Sequence, residues 1–131
     1  MEGNTYQTLA MRTNDGRSTE RLKEIIDWKD KNVTTKGEYD IGDLLNGCLG
    51  LSGEVGEFND MVKKWIFHEK PLDEEHLKKE CSDIMWYIAM ICESMEWELN
   101  EIMRINIEKL KARYPQGFDT NLANNRKEGD V

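Results

Sequence analysis

The run GLSGEVGEFNDMVKKWIFHEKPLDEEHLKKECSDIMWYIA, residues 50–89, decides the fold class. Its apolar residues recur every three or four positions, the period of a helix, and no stretch alternates as a half-buried strand would. In the first half the apolar stripe is Leu51, Val55, Phe58, Val62 and Ile66, extended backwards by Leu44. In the second it is Leu77, Cys81, Ile84, Met85 and Ile88, extended forwards by Cys92 and Met95. Pro71 stops the first helix, and Asp73 can cap the second, with Leu72 and Leu77 at the two hydrophobic-staple positions around it. Helices joined by so short a connection are usually antiparallel neighbours.

Working outward, Asp40 is a plausible N-cap for the first of these helices, which then spans 40–67, and the second spans 73–95. Upstream, Tyr6, Leu9 and Ala10 share a face of a short helix over 5–12. Leu22, Ile25 and Ile26 mark another over 18–29, and residues 30–39 form a polar loop. Downstream a helix over 98–113 must end near Tyr114, because Pro115 disfavours helical geometry in the residue before it. The expectation is an all-α fold, an antiparallel bundle of four to five helices in one domain over residues 1–118. A polar tail, 119–131, follows. A chain of 131 residues fits one domain.

Composition narrows the function. The formal net charge of −8 argues against binding nucleic-acid polymers, which needs a basic face to displace counterions. The start, MEGNTYQTLA, lacks the basic stretch and apolar run of a targeting signal. The longest apolar run, residues 84–92, is far short of the roughly 20 residues that span a bilayer. A soluble, cytoplasmic protein that avoids membranes is expected. Cys48, Cys81 and Cys92 cannot all pair within one chain, and all three fall in apolar helical stretches, so free, buried thiols are expected. The two histidines, His68 and His76, stand in no zinc pattern with them.

The acids carry the chemistry. Glu54 and Glu57 lie three apart on one face of the first long helix, and Glu80 and Asp83 repeat that spacing on the next. At about 100° per residue both pairs fall along one edge of their apolar stripes, near the core boundary, where they face each other across the gap. Two carboxylates about 5 Å apart repel by roughly 3 kcal/mol at an effective dielectric near 20. A cation removes that cost, and all-oxygen ligands suit Mg²⁺ or Mn²⁺ over zinc or copper. Di-iron bundles use Glu-x-x-His motifs, and neither histidine fits one. A lone E-x-x-E is usually an ordinary solvated helix edge; the second pair and its matched placement make this one a candidate site. Asp60 points further from the core and reads as surface. Gly42, Gly47, Gly50, Gly53 and Gly56 crowd the same helix, each costing up to about 1 kcal/mol relative to alanine. Close helix packing, space for a ligand, or a helix that begins only near Leu49 would each account for them.

Three runs together, GLSGEVGEFNDMVKK, ECSDIMWYIA and NIEKLKARYPQGF, resemble the MazG-like branch of the all-α nucleotide pyrophosphohydrolases. The resemblance spans roughly residues 44–118, with a weaker echo at Tyr6 and Gln7. Glu54-x-x-Glu57 followed by Glu80-x-x-Asp83 matches that superfamily's E-x-x-E and E-x-x-D in order and chemistry. It implies Mg²⁺-dependent attack of water at the α-phosphorus of a nucleoside triphosphate, releasing monophosphate and pyrophosphate. It implies Glu54, Glu57, Glu80 and Asp83 as metal ligands, with Glu54 and Glu57 the catalytic pair and one of the glutamates, Glu57 the first candidate, open to orienting the water instead. It also implies assembly into homodimers or homotetramers. A deoxyuridine triphosphatase or a phosphoribosyl-ATP pyrophosphohydrolase of the same superfamily stays open, as does a helical adaptor without enzymatic activity.

Substrate contacts come from three further places. Asn106, Lys109 and Arg113 form a row beside the apolar stripe of the last long helix, parallel to the acids, and are candidate phosphate ligands. Basic residues near a helix C-terminus also offset its dipole, so the row has a second explanation. Lys64, seven residues after Glu57, is a weaker phosphate candidate, and Tyr87, one turn after Asp83, a candidate for base or sugar. Trp28, Trp65, Trp86 and Trp97 offer stacking surfaces, but none is singled out. The segment 84–92 is apolar nearly all round and needs burial on more than one side. A subunit interface explains it, and a locally thick monomer core is the alternative.

Overall fold

The computed structural model describes residues 2–31 and 39–125, with the backbone alone for 28–31. The expected loop over 30–39 therefore lies largely outside the described residues, as does the side chain of Trp28. The chain runs as α1 (Gly3–Ala10), a 3₁₀ turn (Met11–Thr13), α2 (Ser18–Lys31), α3 (Ile41–Phe67), α4 (Glu74–Ser94), α5 (Leu99–Arg113) and α6 (Thr120–Asn124). The all-helical expectation holds, with no strand among the described residues. No helix among them is long and apolar enough to cross a membrane.

The expected caps set the boundaries of the two central helices. The Asp40 carboxylate accepts the Asp43 N–H at 2.9 Å, so α3 starts where its first free donors find an acceptor. Asp73 does the same for α4, accepting the His76 N–H at 3.0 Å. Between them the chain reverses at Glu69, whose φ of 54° is left-handed. The N–H groups of His68 and Lys70 both return to the Lys64 carbonyl, at 3.0 and 3.2 Å, and use up an acceptor that the helix end would otherwise leave free.

α3 and α4 are the closely packed pair, and the hairpin they form is pinned at both ends. One pin is the short 68–73 connection. The other is a backbone bond from the Asp40 N–H to the Ser94 carbonyl, 2.8 Å, which ties the start of α3 to the end of α4. The seam answers the question of the glycines. α3 is helical from Ile41, so Gly47 and Gly50 are helical. A Cβ at Gly47 would sit 2.7 Å from Ile91 Cγ1, and one at Gly50 would sit 2.1 Å from Tyr87 Cε1. Close packing is their reason.

The seam is rotated towards the acid edge of each stripe. Gly47, Glu80, Cys92 and Ser94 are buried, whereas Val55, Ile66 and Met85 of the expected stripes are exposed. The expectation of three buried thiols is corrected accordingly: all are free, but Cys48 and Cys81 are exposed and only Cys92 is buried. Cys48 follows Gly47 and Cys81 follows Glu80, and one residue on a helix is about 100° away from the buried direction.

Large apolar side chains outside the seam stay exposed, among them Ile25 and Ile26 on α2, Trp86 on α4 and Met103 and Ile107 on α5. The tail is not wholly irregular. Gly117 turns it with a φ of 96°, and Asp119 then caps α6 by accepting the N–H groups of Asn121 and Leu122 at 2.7 and 3.0 Å.

Candidate functional site: an acidic cleft in the hairpin

Antiparallel register places the acids. Moving along α3 from Gly47 to Gly50 moves back along α4 from Ile91 to Tyr87. Continuing the same way brings Glu54 and Glu57 alongside Glu80. One carboxylate oxygen from each of these three residues lies within 4.8 Å of the others, a grouping that could hold a metal ion. Asp83 is not in this closest group, though its negative charge acts on Glu54.

The three acids differ in exposure. Glu57 is exposed, Glu54 half-buried and Glu80 buried, at 6% exposure. Glu80 Oε1 has His76 Nε2 at 2.8 Å, one helical turn away. Its Oε2 is buried without a hydrogen-bond partner. An ionised carboxylate with an unmatched oxygen in a desolvated place is costly, and a cation bound there would supply the missing counter-charge. The donors are all oxygens, which suits a hard divalent cation.

Glu54 registers the crowding. Its pKa is raised from the ordinary 4.5, chiefly by burial and then by the charges of Glu57, Asp83 and Glu80. A folded-state pKa above the unfolded value means that folding favours the protonated form. That contribution is complete below pH 4.5 and is lost as pH rises through the raised value. Thermal melts of the metal-free protein in a chelator should therefore show a loss of stability as pH climbs out of the ordinary carboxylate range. In Glu54→Gln the loss should be smaller. An equally steep fall in the variant would mean that Glu54 is not its source.

A cleft of about 460 Å³ opens beside the cluster. Glu57 and Glu80 line its acid end, Gly53 and Gly56 its α3 wall, and Lys70, Pro71 and Leu72 the connecting loop. No Cβ at Gly53 or Gly56 would meet another atom within 4 Å, so these two glycines do leave space, unlike Gly47 and Gly50. Lys64 lines the cleft too, where its ammonium is paired with Asp60. Asp60 is not the plain surface residue its position on the helical wheel suggests. It is half-buried, lines the cleft and is also reached by Lys63 at 3.5 Å. The Lys64 ammonium holds its carboxyl below the usual range.

The other expected contacts lie elsewhere. Tyr87 does not line the cleft; its ring fills the notch at Gly50 and meets Trp86 edge to face at 4.9 Å. Asn106, Lys109 and Arg113 sit on α5, which makes no extended contact with the hairpin, and none of them lines the cleft. His76 is the residue that sequence reasoning passed over. It stands in no zinc pattern with the cysteines and in no Glu-x-x-His motif, so neither of those patterns reveals it. The informative signal was its position four residues before Glu80, the spacing at which helix side chains meet.

A helical hairpin that gathers carboxylates, with no histidine or thiol in the closest group, defines a class of all-α proteins with an acidic, oxygen-only cluster beside a cleft. Within it, this chain belongs to the MazG nucleotide pyrophosphohydrolase domain family, whose model matches residues 43–118. Membership carries nucleotide pyrophosphohydrolase activity as the general class of reaction. The chain is similar to the Gene 37 protein of Mycobacterium phage L5, at 29% identity over 82 residues, covering 60% of this chain and 72% of the relative. No solved structure matches it.

Proposed function

We propose that the protein hydrolyses nucleoside triphosphates at the α–β linkage, with Mg²⁺ or, as a substitute, Mn²⁺. The observation that carries this reading is Glu80, a buried carboxylate with an unpartnered oxygen, grouped with Glu54 and Glu57 within 4.8 Å. Glu54 and Glu80 would hold the cation, with Asp83 adding negative charge nearby and Glu57 beside them on the cleft side. A cation held there would supply positive charge to offset that of the phosphates, which this acidic chain otherwise repels. Glu57, exposed and facing the cleft, orients the attacking water and accepts its proton. The water oxygen bonds to the α-phosphorus, the bond to the bridging oxygen breaks, and pyrophosphate leaves. Positioning and charge stabilisation supply most of what phosphoryl transfer needs.

We further propose a homodimer or homotetramer. Met85 and Trp86 are exposed on the outer face of α4, and Leu110 joins Met103 and Ile107 on α5, a load of apolar surface that single soluble chains rarely leave open. Assembly would also give Asn106, Lys109 and Arg113 a route to the phosphates, from a neighbouring subunit's α5. Incubation of ribo- and deoxynucleoside triphosphates with Mg²⁺, with products separated by chromatography, tests the central claim. Monophosphate and pyrophosphate in equal amounts are expected. Release of orthophosphate would put the cleavage at the wrong bond and end the proposal.

A further inference from the structure

We infer that His76 is a positioning residue for the cation site: it tethers one oxygen of Glu80 so that the other is presented to the cation. This rests on the reading that the acid cluster binds a divalent cation. Three observations support it. His76 Nε2 stands 2.8 Å from Glu80 Oε1, and Glu80 is the buried member of the cluster. The opposite oxygen, Oε2, is buried and has no hydrogen-bond partner, so it is the one left for a ligand. His76 is itself held, because its backbone N–H is bound by the capping carboxylate of Asp73 at 3.0 Å. Asp73 thus holds the first turn of α4, and His76 in that turn reaches the carboxylate one turn further on.

The arrangement differs from an ordinary helix-surface pair. Both members of such a pair are solvated and each keeps several rotamers. Here the His76 side chain is 57% exposed at the rim of the cleft, while the Glu80 side chain, taken without its backbone, is 7% exposed. A group facing solvent on one side and a desolvated acid on the other is placed to orient that acid. Partners that orient metal ligands from behind typically contribute about 10–100-fold to metal affinity.

The test is Mn²⁺ binding by the full chain without nucleotide, read by electron paramagnetic resonance or calorimetry, with circular dichroism as a check on folding. His76→Ala and His76→Phe should each weaken Mn²⁺ binding by about 10–100-fold. Phe keeps the ring and loses the donor, whereas His76→Gln restores an N–H donor at the same reach and should bind within a few-fold of the wild type. If Ala fails to fold, the comparison of Phe with Gln decides. Wild-type affinity in His76→Phe, or a Gln variant as weak as Phe, would overturn the tether. No Mn²⁺ binding by the wild type would instead overturn the cation reading itself, and the tether with it.

Discussion

Glu57→Gln should lower the rate of pyrophosphate release by at least about 100-fold and leave the helical fold intact, since a positioned general base contributes about 10²–10⁴-fold. The substitution is isosteric and removes only the charge and basicity of the side chain. Nothing structural depends on that charge: Glu57 is exposed and has no hydrogen bond or ion pair among the described residues. Removing it also takes away one of the charges that raise the Glu54 pKa, so the metal-free variant should melt no lower than the wild type. The response to cation should separate the two proteins further. A ligand at about 100 times its Kd stabilises a fold by about 2.7 kcal/mol. The wild type should gain a higher Tm in saturating Mg²⁺, and the variant should gain much less. Initial rates and melts with and without Mg²⁺ check both halves. Wild-type turnover in Glu57→Gln would remove Glu57 from the chemistry. A variant that is inactive because it is unfolded would contradict its exposed, unpartnered position.

What could be read in advance follows from how local each determinant is. Asp40 and Asp73 cap helices through side-chain bonds to residues three further on, so sequence spacing is enough to find them. The two acid pairs could be found because three residues on a helix share a face whatever the partner helix does. The burial of Glu80 depends instead on the rotation of α4 about its own axis against α3. That rotation is set by where α3 lacks side chains, at Gly47 and Gly50, so an edge residue of the apolar stripe becomes a seam residue. The same rotation exposes Cys48 and Cys81 and brings Asp60 into the cleft wall. Within one chain the row on α5 lies apart from the acids for another reason. Parallel placement beside an apolar stripe says which way side chains lie relative to that stripe, and nothing about which helix covers it.

Gly50→Ala should destabilise the protein by about 2 kcal/mol or more, although alanine is the better helix former by about 1 kcal/mol. A new Cβ would fall 2.1 Å from Cε1 and 2.2 Å from Cζ of Tyr87, inside the ring's own contact distance. Swinging the ring out of the notch would cost its edge-to-face contact with Trp86 and its packing on α3. The remaining response is for α3 and α4 to separate at this level, one turn before Glu54. Separation there widens the gap between Glu54 and Glu80, so Gly50→Ala should weaken Mn²⁺ binding as well as lower the melting temperature. Gly53→Ala is the control: it lies on the same helix with nothing within 4 Å, and should gain up to about 1 kcal/mol. Chemical denaturation of both variants separates helix propensity from the steric clash, because propensity acts on both positions and the clash on one. Tyr87→Ala removes the obstructing ring, so Gly50→Ala made in that background should lose its penalty and show a coupling energy of the order of 2 kcal/mol. If the two substitutions are additive instead, the hairpin is not closed by this contact, and the seam that brings Glu80 to the glutamates of α3 must be held by something else.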